Sequence, residues 1–416
     1  MRIVLANAVT LNGGDAAIAI AALSLFQQAF PGAAVQIVDS QSDVARRLYP
    51  ELEFVPGLAT LLPRGKRAAL SMARLLAAAR VYRQLGRDAA RRLCSAAELA
   101  TLDAYAQADH IVSTGGTYLV EHYGLRSRRF ELEVCLQLGR PLVFLTQSLG
   151  PFAKPINRLY FRRLFNRTPL ALLRDRRSEQ NLRDIGVTSP RLHVVPDVVF
   201  ALADADVLRA AGERPLFREA TPRVAVSVRA WSHFKGGESD RGMVAYKAAI
   251  AAVVEHLVSK YQANVTFLST CQGVPEYAHD DARTAREIHA ALSPAARERA
   301  QVDAGFHTPE QLMAKLRGFD AVVATRMHMA ILSLISGTPV VPIAYEFKTR
   351  ELFNELGQGD LVVAIEDTTA ERLIDATERL FERMRTPGAR QALFASVERA
   401  RQGARSAAER LAESRS

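Results

Sequence analysis

Cysteine is scarce in this chain of 416 residues, which contains only Cys94, Cys135 and Cys271. The three lie far apart, lack the paired spacing of a zinc site and leave one residue outside any disulfide pairing. Long apolar runs are also missing, since no stretch approaches the roughly 18 uninterrupted apolar residues of a membrane span. These absences argue against a disulfide framework, a metal site and an integral membrane protein. They favour the reducing cytoplasm.

Basic residues outnumber acidic ones, 54 to 44, and the formal charge is +10. Such an excess favours anionic partners: nucleic acid, acidic lipid headgroups, phosphorylated metabolites or acidic glycans. Nucleic acid is the least favoured, because the arginines are spread over Ala-rich helical segments and do not interleave with aromatic residues. Composition is otherwise that of a globular protein, and the length favours two domains.

Short Val- and Ile-rich runs alternate with helical segments along the chain, a pattern that predicts βαβ units and parallel sheets. The first series starts at residue 2, with a helix predicted over 15–30, and the second starts at residue 223. The polar stretch 203–222 lacks a clear period and is interpreted as a linker, and 370–416 as closing helices. The predicted fold is α/β, with Rossmann-like domains at 1–205 and 222–416 facing across a ligand-binding cleft.

The segment at about 64–100 departs from this alternation and is predicted to be an insertion of basic amphipathic helices. Leu and Ala fall on one side of these helices and Arg on the other. Such helices can lie on an anionic membrane, which would place the protein at the inner face of the cytoplasmic membrane. The alternative is a helical pair packed on the sheet.

A glycine pair, Gly13 and Gly14, follows the first strand and opens a helix. Glycine allows the backbone N–H groups of such a turn to approach a ligand closely. Asn12 is expected to hold the loop. Asp15 is either a helix cap or a general base toward a sugar hydroxyl.

Two further loops at predicted strand ends suit a sugar ligand, although each is typical of many α/β proteins. One contains Gly115, Gly116 and Thr117, followed by Tyr118, Glu121, His122 and Tyr123. The other contains Gln147, Ser148, Leu149 and Gly150.

Arg174 lies between an apolar strand and a helix, where its guanidinium could hold a carboxylate or phosphate through two bonds. The alternative is a salt bridge to Asp175 or Asp197.

The stretch 325–348 holds the richest set of polar residues. One strand leads to Arg326 and His328 at the start of an apolar helix, and the next leads to Tyr345, Glu346 and Lys348. Adjacent parallel strands end side by side, so His328 and Lys348 are expected on one rim, near a helix N-terminus. The set predicts a phosphate site.

These residues resemble the polysaccharide pyruvyl transferase family. The resemblance follows the order and spacing of motifs over nearly the whole chain, and the segment LSTCQGVPEYAHDD is most similar to the colanic acid and amylovoran branch. The motifs are Asn12-Gly13-Gly14-Asp15-Ala16-Ala17-Ile18, Gly115-Gly116, Ser148-Leu149-Gly150-Pro151-Phe152, Arg174-Asp175 with Ser178, Arg326-Met327-His328, and Tyr345-Glu346 with Lys348.

The resemblance implies a fold similar to that of GT-B glycosyltransferases and transfer of the pyruvyl group of phosphoenolpyruvate to a sugar as a ketal. It also implies that Arg174, His328 and Lys348 hold phosphoenolpyruvate. The chain departs from the family at Thr114-Gly115-Gly116-Thr117, where many relatives have a longer glycine run, and at Asp197-Val198, where many have Asp-Pro or Asp-Thr.

The mechanism inferred from this resemblance uses cationic side chains with an acid and a base, and no redox cofactor or metal. Arg174 is assigned to the carboxylate, Lys348 and Arg326 to the phosphate, and His328 to proton donation or phosphate contact. Asp15 or Glu346 would accept a hydroxyl proton.

Two other functions stay open at this point: a glycosyltransferase that uses a nucleotide-sugar donor, and a non-enzymatic scaffold at the membrane.

Overall fold

The computed structural model describes residues 1–121, 124–234 and 239–414 of the chain. The chain divides into two compact units. The first unit comprises Met1–Leu11, Ile18–Ala201 and the chain from Gly403 onward, and the second comprises Asn12–Ala17 and Leu202–Gln402.

The first unit is built around a parallel sheet in the order β3-β2-β1-β4-β6-β7-β8, with β5 paired to β6. Its strands are β1 Arg2–Ala8, β2 Ala34–Asp39, β3 Phe54–Pro56, β4 His110–Ser113, β5 Gly116–Leu119, β6 Leu142–Leu149, β7 Ala171–Leu173 and β8 Leu192–Val194. The helices along this part of the chain are α1 Gly13–Ala29, α2 Ser42–Leu48, α3 Arg67–Leu85, α4 Arg87–Arg91, α5 Ala96–Gln107, α6 Arg126–Leu138, α7 Pro155–Arg167 and α8 Arg176–Arg183, with 3-10 turns at Leu58–Leu61 and Val198–Leu202.

The second unit contains a parallel sheet in the order β11-β10-β9-β12-β13-β14. Its strands are β9 Arg223–Ser227, β10 Asn264–Phe267, β11 Ala300–Val302, β12 Ala321–Ala324, β13 Val340–Ala344 and β14 Val363–Ala364. The helices that follow α8 along the chain are α9 Ala205–Glu213, α10 Ser239–Tyr261, α11 Asp281–Ala290, α12 Pro294–Arg299, α13 Pro309–Leu316, α14 Met327–Ile335, α15 Phe347–Glu355, α16 Ala370–Arg385 and α17 Pro387–Glu413, with 3-10 turns at Gly359–Leu361 and Ile365–Asp367.

The central strands are buried along their whole length, as in β6, β12 and β13. Continuous burial is typical of parallel sheets covered by helices on both faces, and it explains why these strands appear in the sequence as unbroken apolar runs. The predicted α/β class with two parallel sheets is confirmed.

Part of the stretch 203–222, which is interpreted from the sequence as a linker, forms helix α9. Asp204 caps this helix by accepting hydrogen bonds from the backbone N–H groups of Asp206 and Val207. Leu208 and Ala211 are buried on one side of it. The helix is short, which explains why no period stood out in the sequence.

The two units also depart from the simple ranges 1–205 and 222–416. Near the N-terminus, α1 begins two residues before the predicted start, and its first turn belongs to the second unit. At the other end, 370–416 is helical as predicted, but from Gly403 onward α17 belongs to the first unit. There Arg410 bonds to Nδ1 of His193 at 3.1 Å. The unit to which each end of the chain belongs is therefore set by packing and not by the order of residues along the chain.

Helix α10 is apolar and long enough to cross a membrane, by length and composition alone. It packs against α16 and β10, and its buried side chains include Tyr246, Ile250 and Leu257. This arrangement is that of a core helix.

The predicted insertion forms α3, α4 and α5. The apolar side of α3 is turned inward, with Leu75, Ala78 and Ala79 buried, and α3 packs against α6. This is the packed alternative of the two that the sequence allowed. Leu70 and Leu85, near the two ends of α3, are nevertheless 76% and 72% exposed.

A buried carboxylate of α6 joins α5 of the insertion to the 3-10 turn at Leu58–Leu61. Glu131 of α6 is 3% exposed and accepts hydrogen bonds from the N–H groups of Leu58 and Ala59 and from the hydroxyl of Tyr105, at 3.1, 3.1 and 2.8 Å. Burial raises the pKa of Glu131, although these bonds act in the opposite direction.

We expect Glu131→Ala to lower the free energy of unfolding by on the order of 3 kcal/mol, because three buried donors lose their acceptor. Glu131→Gln keeps one acceptor oxygen, so it should lose less stability than Glu131→Ala. Glu133→Ala, on the same helix but half-buried, is the matched control and should change stability by less than about 0.5 kcal/mol. Urea denaturation measures all three, and equal stability of the two Glu131 variants would contradict this role.

Candidate active site

Four adjacent strands of the second unit, in the order β10-β9-β12-β13, end at the same edge of the sheet. The carboxyl ends of parallel strands are where α/β folds bind ligands. Thr270 follows β10, Arg229 follows β9, Arg326 follows β12 and Glu346 follows β13. The expectation that the ends of the last two strands lie side by side is confirmed by the pairing of β12 with β13.

The N-terminal glycine loop belongs to the same unit and lies against this edge. The N–H of Gly13 donates to the carbonyl oxygen of Thr270 at 2.7 Å, and a Cβ at Gly13 would lie 2.6 Å from that oxygen. A Cβ at Gly14 would lie 2.7 Å from Nδ1 of His328. Real Cβ atoms do not approach so closely, so both positions require glycine.

Asn12 holds the loop, as the sequence predicted. Its Oδ1 accepts the N–H of Gly14, and its Nδ2 donates to Oδ2 of Asp15, both at 3.0 Å. Asp15 lies in the first turn of α1 and is half-buried. Residues from the beginning of the chain and His328 are thus brought into contact.

Arg326 is the residue that immediately precedes α14, and both ends of its guanidinium are bound by one carboxylate. Its Nε and NH2 groups donate to the two oxygens of Asp281 at 2.8 and 2.7 Å. The side chains are 11% and 2% exposed. Burial opposes the charge, but Asp281 outweighs it and raises the pKa of Arg326 further.

Sequence reasoning did not single out Asp281. It is the last residue of the segment LSTCQGVPEYAHDD, which carries the resemblance but offers no spacing rule that would mark one acid. Its second contact, with the hydroxyl of Ser269 at 2.6 Å, fixes the carboxylate between two strand ends. Only the fold shows that it faces Arg326.

Lys348 and Glu346 form an ion pair at the start of α15. The Nζ of Lys348 lies 2.6 Å from Oε2 of Glu346, and the side chains are 12% and 16% exposed. Glu346 immediately precedes the helix and Lys348 is in its first turn. The roles predicted for these two residues stay predictions.

A cation that the sequence did not reveal, Arg229, lies on two aromatic rings at the end of β9. Its Cζ is 4.8 Å from the ring centre of Trp231 and 4.1 Å from that of Tyr345. Its Nε donates to the carbonyl oxygen of Ala230 at 3.4 Å. Stacking on aromatic faces holds the guanidinium in place without occupying its terminal NH1 and NH2 groups.

Three groups of the segment 268–281 have shifted pKa values. Burial raises the pKa of Tyr277, and the Asp15 carboxylate adds to that rise. Partial desolvation, with the nearby charges of Arg326 and Arg229, lowers the pKa of His279, and Asp281 acts against this. Burial raises the pKa of Cys271 to about 12, so this thiol is protonated at neutral pH and is a poor nucleophile.

Arg174 lies in the first unit and is 9% exposed. Its NH1 donates to Asp197 at 2.8 Å, its NH2 to Thr117 at 2.7 Å, and its Nε to Ser148 at 3.1 Å. The structure therefore contains the ion pair with Asp197 that the sequence offered as the alternative for this residue. It also brings Arg174 and Ser148, both predicted site residues, into direct contact.

Other predicted residues of the first unit lie between β4 and the end of β5. Tyr118 points its hydroxyl at Ser113 and Gln147, at 2.6 and 2.8 Å. A Cβ at Gly115 would lie 2.7 Å from Oγ1 of Thr146, and Gly116 has φ +125°, where glycine is favoured. His122 and Tyr123, which the sequence also proposed, lie outside the described residues.

The architecture is that of the GT-B fold, the class of many nucleotide-sugar enzymes. The UDP-GlcNAc 2-epimerase from Neisseria meningitidis matches with a TM-score of 0.59 and 10% identity, over 99% of this chain and 100% of that one. HepE from Anabaena, solved in complex with UDP and glucose, matches with a TM-score of 0.54 and 15% identity, over 99% and 98%. At these identities the likeness shows the fold alone.

Residues 12–346 match the model of the polysaccharide pyruvyl transferase family, and the chain belongs to that family. It is also similar to the amylovoran biosynthesis protein AmsJ of Erwinia amylovora, with 28% identity over 263 residues. The matched region covers 61% of this chain and 61% of that relative.

We expect Arg326→Ala to lower the free energy of unfolding by about 3–5 kcal/mol, because it leaves the Asp281 carboxylate buried without its counter-charge. Arg326→Lys keeps the charge but cannot bind both carboxylate oxygens in the same plane. Its free energy of unfolding should therefore lie between those of the parent and of Arg326→Ala. Arg372→Ala is the control, since its pair with Asp367 is exposed and worth less than about 1 kcal/mol. An Arg326→Ala protein that unfolds at the same denaturant concentration as the parent would contradict this assignment.

Proposed function

We propose that this protein transfers the pyruvyl group of phosphoenolpyruvate to two hydroxyls of one sugar, in a surface polysaccharide or its lipid-linked precursor. The products are a pyruvate ketal and phosphate. The observation that carries the proposal is the assembly of the Asn12–Asp15 loop, His328, Lys348 and Arg229 along one strand edge, in a chain of this family. The reaction is placed in the cytoplasm, where phosphoenolpyruvate is made.

The proposed chemistry balances without a change of oxidation state. A proton is added to the methylene carbon of phosphoenolpyruvate, and the oxygen of one sugar hydroxyl attacks the neighbouring carbon. The C–O bond to phosphate then breaks, and phosphate leaves with the bonding electrons. The second hydroxyl closes the ketal. Of the two hydroxyl protons lost, one balances the proton gained by the new methyl group and the other leaves with phosphate.

This scheme requires an acid, a base and cationic groups, and it includes neither a redox cofactor nor a metal. His328 is assigned to proton donation or to phosphate contact, and Lys348 to phosphate. Asp15 or Glu346 is assigned to accept a hydroxyl proton. Arg326 is held in place by its ion pair with Asp281 and supplies a fixed positive charge to the site. Arg229 keeps its terminal N–H groups for an anion.

Arg174 keeps its predicted assignment to the carboxylate of phosphoenolpyruvate. In the first unit it is held by Asp197, Ser148 and Thr117. Gly115, Gly116, Tyr118 and Ser148 keep their assignment to the acceptor sugar. These assignments rest on the family resemblance.

We expect His328→Ala to reduce turnover at least about 100-fold while leaving the melting temperature close to that of the parent. Turnover is followed as phosphate release from phosphoenolpyruvate with candidate galactoside, glucoside or mannoside acceptors, together with mass analysis of the pyruvylated product. His256→Gln is the control, because His256 bonds to Glu378 of α16 and neither residue belongs to the proposed site.

A fully active His328→Ala protein would contradict the assignment of His328. A nucleotide-sugar glycosyltransferase would instead be stabilised against heat by a nucleoside diphosphate and not by phosphoenolpyruvate. A membrane scaffold without enzymatic activity would be stabilised by neither ligand.

We expect phosphoenolpyruvate to raise the pKa of His279, because a bound anion offsets the positive charges of Arg326 and Arg229 that now disfavour the imidazolium. NMR titration of the histidine ring protons measures this shift. His193 is the internal control, since burial and Arg410 lower its pKa and it belongs to the first unit. The shift should disappear in Arg229→Met, and a His279 pKa that does not respond to phosphoenolpyruvate would argue against binding at this edge.

A further inference from the structure

A cavity of about 670 Å³ opens in the first unit between α3, α6 and α7. Its lining is mainly apolar and includes Met72 and Leu76 of α3, Phe130 of α6, and Ile156 and Tyr160 of α7. The cationic side chains of Arg126, Arg129 and Lys154 border the same cavity. The strand-edge residues proposed above for catalysis do not line it.

The apolar surface continues outside the cavity. Ile156 is 64% exposed and Leu159, on the same helix, is 48% exposed. Leu70 of α3 is 76% exposed. Large aliphatic side chains at this exposure cost free energy in water, and a group of them beside an open apolar cavity is typical of an interaction surface.

Charge on the two outer helices is of one sign. Helices α3 and α7 each contain four arginines and neither contains Asp or Glu. Some of these arginines are held within the protein, as Arg74 is by Glu98. Others, such as Arg67, Arg163 and Arg167, are exposed. The surface therefore offers positive charge next to exposed aliphatic groups.

Two carboxylates lie in the cavity wall, but both have partners within the protein. Glu121 accepts hydrogen bonds from the N–H of Lys154 at 3.0 Å and from Nδ2 of Asn157 at 2.7 Å. Glu133 accepts one from Nε2 of Gln137 at 2.7 Å. They leave the outer faces of α3 and α7 basic.

We propose that this α3–α7 surface docks on an anionic lipid bilayer, with Ile156 and Leu159 entering the headgroup region and the arginines contacting lipid phosphates. A surface of aliphatic and basic groups matches the two components of a bilayer interface. A soluble acidic polysaccharide would use the charges but has no need of exposed Ile and Leu. The docking would hold the enzyme where a lipid-linked acceptor is found, a consequence that rests on the proposed function.

The test is flotation of the full-length protein with vesicles of phosphatidylcholine alone or mixed with phosphatidylglycerol. Binding is expected with the mixed vesicles, with a marked loss as salt rises. The double variant Ile156→Ser and Leu159→Ser should bind these vesicles at least about tenfold more weakly than the parent. Val244→Ser is its matched control, since Val244 is 65% exposed on α10 in the second unit, and it should bind like the parent.

The charges are tested separately. Arg163→Gln with Arg167→Gln should weaken binding roughly 30-fold, because two basic residues near an anionic surface contribute about 1 kcal/mol each. Arg286→Gln, on the exposed side of α11, is the control and should have little effect.

Equal binding to neutral and anionic vesicles would overturn the proposal. Undiminished binding of the Ile156 and Leu159 double variant would also overturn it. If soluble dextran sulfate then competes with the vesicles, the surface is a site for a soluble polyanion and not for a bilayer. Melting temperatures confirm that each variant is folded. The vesicle assay contains no phosphoenolpyruvate, so its failure would leave the transfer proposal standing, and failure of transfer would not affect vesicle binding.

Discussion

The hydrogen bond from the N–H of Gly13 to the carbonyl of Thr270 joins the first loop of the chain to a strand end more than half the chain away. The bond is possible because neither Gly13 nor Gly14 has a Cβ, and Gly14 leaves the space that the His328 ring occupies. Asn12 and Asp15 are placed at the same edge by this contact. Without it, the N-terminal motif and the Arg326-Met327-His328 motif would be two unrelated features of the sequence.

The arginines at the ends of the strands divide into those that are fixed by a carboxylate and those that keep hydrogen-bonding capacity. Arg326 with Asp281 and Arg174 with Asp197 belong to the first kind, and their pairing satisfies guanidinium groups that would otherwise be costly to bury. Arg229 belongs to the second kind, because aromatic faces hold it in place without using its terminal N–H groups. In the second unit, the proposed anionic ligand would therefore meet the fixed charge of Arg326, with Arg229 as the proposed direct partner.

Much of the fold could be predicted from the sequence, because buried parallel strands are continuous apolar runs and the helices between them have their own period. Helix α9 was missed, since nine residues with a single cap give a weak period. The site was predicted in part. Glycines at a turn, and a His that follows an Arg in the first turn of an apolar helix, stand out in a sequence. Asp281 and Arg229 lie among ordinary polar residues and are marked only by what they contact.

The sequence by itself determined the alternation of strands and helices, the excess of positive charge and the order of the motifs, since each depends on residue type and local spacing. The tertiary structure decided which residues meet: Asp281 with Arg326, Arg229 with Trp231 and Tyr345, and the apolar side of α3 with α6 instead of with solvent. Pairing between residues distant in the chain follows from strand order and packing, and neither is encoded in any short segment. For that reason the chemical groups could be listed from the sequence, but their partners could not.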